Sequence, residues 1–170
     1  KPHSQLHQVK EKVVKINSKL NQVITDKNTY RADKIFSSIY NPKILESQTK
    51  FPVLIQHFFG CIIETKKSCF NKGKIDFMNF DIPQKNETRF IYVLPESNNR
   101  ALIEYTLFSK NLLPDKEYLE EIKKYINSID TGGYNIVESE KGQIPMTCFR
   151  FDNYNTKDIL HIGTAGGWTK

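Results

Sequence analysis

A glutamate stands where a hydrophobe is expected. The run Ala101-Leu102-Ile103-Glu104-Tyr105-Thr106-Leu107-Phe108 follows Arg89-Phe90-Ile91-Tyr92-Val93-Leu94-Pro95 across the polar segment Glu96-Ser97-Asn98-Asn99-Arg100. Both arms are rich in β-branched and aromatic residues around a turn-forming cluster, so they predict a β-hairpin. Side chains alternate along a strand, which puts Leu102, Glu104, Thr106 and Phe108 on one face and Ile103, Tyr105 and Leu107 on the other. A strand apolar on both faces is expected to be covered on both, leaving Glu104 partly dry. Burial disfavours an ionised carboxyl and raises its pKa, which is how a glutamate becomes a general acid near neutral pH. The plainer reading is a strand-edge carboxylate that reaches solvent or pairs with an arginine.

The elements that must position this residue follow from periodicity. Residues 6–36 read as β-structure, with Val13, Val14, Ile16, Val23 and Ile24 among polar residues, although Leu6, Val9, Val13 and Ile16 also fit a helix over 5–19. Residues 37–50 read as loop, broken by Asn41-Pro42. Val53–Glu64 is a strongly apolar strand in which Gly60 marks a bulge or a close approach. Lys72–Phe80 alternates again, with Ile75, Phe77 and Asn79 expected on one face. After Pro114, Asp115 is a candidate N-cap, and Tyr118, Leu119, Ile122, Tyr125, Ile126 and Ile129 form a helical stripe that Gly132-Gly133 ends. Strands, one long amphipathic helix and more strands describe an α+β domain, with the helix packed on the sheet.

Composition narrows the function classes. The 170 residues are 38% hydrophobic and 26% charged, with 25 Lys+Arg against 19 Asp+Glu for a net charge of +6. The lysines are dispersed, so a nucleic-acid arm is not indicated. Cys61, Cys69 and Cys148 are an odd set without CxxC spacing, which suggests neither a disulfide framework nor a zinc site and fits a cytoplasmic setting. No stretch approaches the roughly 18 apolar residues that span a bilayer. The chain opens on Lys1 and closes just after a glycine cluster, so both ends read as cut.

Several segments in order carry a resemblance: Tyr30–Phe36, Gln56-His57-Phe58-Phe59-Gly60, the two hairpin arms, Gly142-Gln143-Ile144-Pro145-Met146-Thr147, and Ile162-Gly163-Thr164-Ala165-Gly166-Gly167. Together they resemble the lycopene cyclase family of flavoproteins, in its bacterial β-cyclase-like branch. The resemblance implies a fragment of a two-part protein in which an FAD-binding, Rossmann-like domain is interrupted by a largely antiparallel substrate domain. Residues 1–36 would be a β-meander of or beside the flavin domain, 37–150 the substrate domain, and 151–170 the start of the returning flavin segment. In that picture Gly163, Thr164, Ala165, Gly166 and Gly167 approach the flavin. On residue type alone they are a tight turn, since no GxGxxG follows a strand here.

The resemblance also implies a reaction. A proton adds to the terminal double bond of a linear carotenoid, the ring closes on the cation, and a second proton leaves without net redox. The family uses reduced FAD, with NAD(P)H as reductant. Glu104 matches the first glutamate of the family's Leu-Glu-Glu-Thr-type motif, the acid/base candidate, and Tyr105 replaces the second. Phe58, Phe59, Tyr92, Tyr105 and Phe108 are the aromatic candidates for a polyene tunnel, and each also suits a core. His57 is either a proton relay or a satisfied structural histidine. No metal site is expected, and peripheral membrane association is inferred from an insoluble substrate. Two other readings stay open: another FAD-dependent enzyme of the same fold, of hydroxylase or reductase type, and a basic module that binds acidic surfaces without catalysis.

Overall fold

The computed structural model describes residues 6–168; the first five and last two residues of the expected segments lie outside them. The chain divides into two compact units, one of Lys1–Thr49 with Phe149–Lys170 and one of Lys50–Cys148. Residues 37–49, expected at the start of the sheet domain, fall in the first of these.

The first unit opens with an antiparallel meander, β1 (Val13–Asn17), β2 (Gln22–Thr25) and β3 (Thr29–Arg31), in the order β1-β2-β3. No helix forms over the described part of 5–19. The Glu11 carboxylate ties the meander by accepting hydrogen bonds from Thr25, Asn28 and Tyr30 at 2.7–3.0 Å. Next come β4 (Ile35–Ser37) and one helical turn, α1 (Lys43–Glu46), which buries Leu45 in a segment expected to be loop.

The second unit holds β5 (Val53–Thr65), β6 (Asp76–Asn79), β7 (Thr88–Ser97), β8 (Arg100–Ser109), α2 (Asp115–Asn127) and β9 (Tyr134–Thr147). Its five strands form one antiparallel sheet in the order β6-β7-β8-β5-β9. The hairpin forms as the sequence predicts, with β7 and β8 joined at Asn98-Asn99. Gly60 is not at a bulge: it keeps register with Glu104 and Glu140, and the irregularity falls at Ile62/Ile63. The helix starts at the expected place, but Pro114 occupies the N-cap position and no side chain caps it. Its Tyr118, Ile122 and Ile126 pack on Phe59, Cys61, Ile63, Ile91, Val93, Ile103, Tyr105 and Leu107. These strand residues share one face by alternation, and burying them is the main stabilising term of this unit.

The chain then returns to the first unit. After a 3-10 turn at Phe151–Tyr154, β10 (Ile159–His161) pairs in parallel with β4, Ile159 opposite Ile35 and His161 opposite Ser37. Lys34 and Asp158 flank this pair with an ion pair of 2.7 Å. Gly163–Gly166 follows as a second 3-10 turn. The described architecture is therefore α+β and mainly antiparallel, with one two-stranded parallel pair.

Candidate active site on the open face of the sheet

The face opposite α2 is ordered in rungs. Tyr92, Glu104, Gly60 and Glu140 form one rung across β7, β8, β5 and β9. Phe90, Thr106, Phe58 and Gly142 form the next rung on one side, and Leu94, Leu102, Ile62 and Glu138 the next on the other. Glu104 thus stands in the middle of the sheet with apolar neighbours above and below. Its Oε1 accepts a 2.7 Å hydrogen bond from the Thr106 hydroxyl, two residues along the same face. Burial pushes the carboxyl up from its ordinary range, the Thr106 bond pulls it back, and the Glu140 charge adds to the rise.

Aromatic rings gather on one side of this carboxyl, at Tyr92 in its own rung and at Phe90 and Phe58 in the next. Tyr92 meets Phe77 and Phe90 edge-on at 5.2 Å each, Phe80 meets Phe90 at 5.4 Å, and Phe108 lies 6.1 Å from Phe90. The Phe58 ring lies over Gly142, where a Cβ would come within 2.5 Å of its Cζ. Phe77 is 68% exposed, although the sequence pairs it with Asn79. Met78 at φ +54° breaks the alternation, so Asn79 aligns with Ile91 on the helix side while Phe77 turns to Tyr92.

Of the residues singled out from sequence, Phe58, Tyr92, Glu104 and Phe108 come together on this face. Phe59 and Tyr105 do not join them; each is the neighbour in sequence of an open-face residue and so points to the helix. Tyr105 is buried and accepts a 2.9 Å bond from Arg89 Nη1. His57 is also on the helix side, 1% exposed. The Ser109 hydroxyl donates to the Asn111 carbonyl, so it accepts from His57 Nε2–H at 2.8 Å. Tyr118 accepts from the Leu113 N–H and donates to His57 Nδ1. Every position around the ring is filled, and burial holds the imidazole below its ordinary pKa, as befits a neutral structural histidine. A cavity of about 340 Å³ opens beside this histidine, lined by Phe59, Leu113, Tyr118 and Gly142 among others, and does not include Glu104.

The glycine cluster has its own geometry in the other unit. Gly166 is pressed against its strand, since a Cβ would lie 2.3 Å from the His161 carbonyl oxygen. Gly167, at φ +74°, is pressed on Phe151. The N–H groups of Gly167 and Trp168 donate back to Thr164 and Gly163. Gly163, at φ +58°, has open space where a side chain would be. Gly163 therefore leaves open space beside the half-buried Thr164, while Ala165, Gly166 and Gly167 serve to close the turn.

Sequence reasoning missed Thr106 as the partner of Glu104, although their i, i+2 spacing was the signal. It also missed Phe77, Phe80 and Phe90 as ring neighbours. Gly60 and Glu140 had no local signal, because their place beside Glu104 depends on strand order.

An antiparallel sheet with one face under a helix, and the other carrying a half-buried carboxyl beside aromatic rings, defines an α+β class. The family model described as lycopene cyclase protein matches residues 3–170, and the chain belongs to the lycopene cyclase family. That membership supports a lycopene cyclase-like function in carotenoid biosynthesis and implies a carotenoid substrate. No curated protein matches the chain. Among the described residues, no helix is long and apolar enough to cross a membrane.

Proposed function

We propose that the open face of the sheet is the acid–base surface for closing the end ring of a linear carotenoid, with Glu104 as the proton donor. The observation that carries this reading is a half-buried carboxyl with a raised pKa and one hydroxyl partner, set beside aromatic rings. A raised pKa keeps a fraction of the acid protonated toward neutral pH, which an acid-initiated step requires. Protonated Glu104 gives its proton to the terminal double bond, and a new carbon–carbon bond closes the ring on the resulting cation. Loss of a ring proton restores neutrality, so no electrons are gained or lost overall.

Phe58, Tyr92 and Phe108, with Phe77, offer π-faces to the cation, while the buried Phe90 packs behind Tyr92. Thr106 orients the carboxyl. In the other unit, Gly163 and Thr164 would hold an edge of the flavin, which, kept reduced by NAD(P)H, would supply an electron-rich ring. Phe59, Tyr105 and His57 belong to the support of the sheet in this reading.

The test is Glu104→Gln in the complete protein, expressed in cells that accumulate lycopene. The expected result is loss of ring formation with flavin content intact. Normal ring formation would remove Glu104 from the acid role and favour a hydroxylase- or reductase-type relative of the same fold.

A further inference from the structure

The rung that holds Glu104 contains a second carboxyl. Glu140 aligns with Gly60, and Gly60 aligns with Glu104, so only a glycine separates the two acids across the sheet. The Glu140 side chain leans into the space that glycine leaves free. A Cβ built on Gly60 would lie 3.2 Å from Glu140 Cγ and 3.4 Å from its Oε1, with Leu102 Cδ1 at 3.0 Å on the other side. Glu140 is exposed and Glu104 is half-buried, so the pair grades from solvent toward the apolar face.

We propose that Glu140 is a positioning residue for Glu104: lying over Gly60, it passes a proton from solvent to Glu104 each time Glu104 has protonated the substrate. This rests on the reading of Glu104 as the acid. The protons balance. Glu104 loses one to the polyene carbon and takes one from Glu140, Glu140 takes one from bulk water, and the proton that leaves the ring cation returns to water. No oxidant or reductant enters these steps.

The other groups facing Glu104 leave this role to Glu140. Tyr92 on β7 is a phenol whose own pKa is raised by burial and by Glu104. Thr106 on β8 already donates to Glu104. On β5 the rung is Gly60, and the next acid along that face, Glu64, is paired with Arg100 at 2.6 Å. Arg100 is held in turn by Glu96. On β9, Glu138 is one rung further, beside Ile62. β6 presents Phe77, an uncharged ring, to Tyr92. The charge on Glu140 contributes to the raised pKa of Glu104.

The experiment combines two readouts. In the 170-residue chain, carboxyl carbon NMR follows Glu104 in the wild type, Glu140→Gln and Glu138→Gln. Removing the Glu140 charge is expected to move the Glu104 midpoint to lower pH, and Glu138→Gln to move it less. Gly60→Ala, whose new methyl pushes Glu140 aside, is expected to shift it in the same direction as Glu140→Gln. In the complete protein, Glu140→Gln is expected to lower kcat about tenfold with KM unchanged, to move the alkaline limb of the pH profile to lower pH, and to be partly rescued by Glu140→Asp. A merely structural Glu140 would alter stability and leave both midpoints in place, and that result overturns the proposal. Glu104→Gln that still forms rings overturns both this inference and the acid assignment. An inactive Glu104→Gln beside an unshifted Glu140→Gln overturns this inference alone.

Discussion

The two faces of the larger sheet use the same strands for opposite purposes. Under α2, the polar atoms of His57, Tyr118, Ser109, Tyr105 and Arg89 are matched to partners, and the apolar residues between them are almost fully buried. On the open face, Glu104 has a single hydroxyl partner, and large rings such as Phe77 and Phe80 remain 68% and 47% exposed. A satisfied face stabilises a fold, whereas an under-solvated acid beside exposed aromatic surface is what the proposed ligand face calls for. Adjacent residues separate these roles: Phe58 from Phe59, and Glu104 from Tyr105.

The sharpest break of this comparison is Glu104→Gln, which should lower ring formation about 1000-fold, or about 4 kcal/mol in transition-state terms. The same substitution should leave the fold intact, because the amide oxygen still accepts from Thr106. It should also change the pH dependence of stability. The folded-state pKa of Glu104 is raised above the ordinary 4.5, so the unfolded chain loses this proton first. Stability therefore falls as pH rises from 4.5 toward the folded pKa, and denaturant titrations of Glu104→Gln should lack that part of the decline.

On the helix side the order of effects reverses. Ile122→Ala removes a fully buried contact of α2 with the sheet and should cost about 3 kcal/mol in chemical unfolding, with ring formation unchanged per folded molecule. Tyr118→Phe removes the donor to His57 Nδ1 and the acceptor of the Leu113 N–H, at a cost of about 2 kcal/mol. His57 sharpens the contrast with Glu104 in pH. Its folded pKa lies below the ordinary 6.5 because burial disfavours the cation, so protonation of the unfolded chain lowers stability as pH falls through 6.5. Thermal unfolding of His57→Gln should lose that acid-side slope. The smallest stability effect is expected at Phe77→Ala, under about 1 kcal/mol because the ring is already exposed, with weaker carotenoid binding as the visible change.

Strand alternation alone makes the face of Glu104 legible in the sequence. The same rule excludes Tyr105 and Phe59 from that face, and reading the aromatics by type rather than by parity is why they entered the site. The α2 stripe is equally legible, since a 3.6-residue period is a local property. The described part of residues 5–19 fits both periods, and pairing of β1 with β2 decided for strand.

By itself, the sequence determined the hairpin, the helix and the side of the sheet on which Glu104 stands, because backbone periodicity and turn chemistry act over a few residues. It also carried the ordered motifs of the family. Only the tertiary structure decided that β5 lies between β8 and β9, placing Gly60 and Glu140 beside Glu104 from 44 and 36 positions away in the chain. It likewise decided that Met78 turns Phe77 onto the open face and that His57 sits in a hydrogen-bond chain on the helix side. Such arrangements depend on non-local strand pairing and on burial, and neither is encoded in the spacing of residues along one segment.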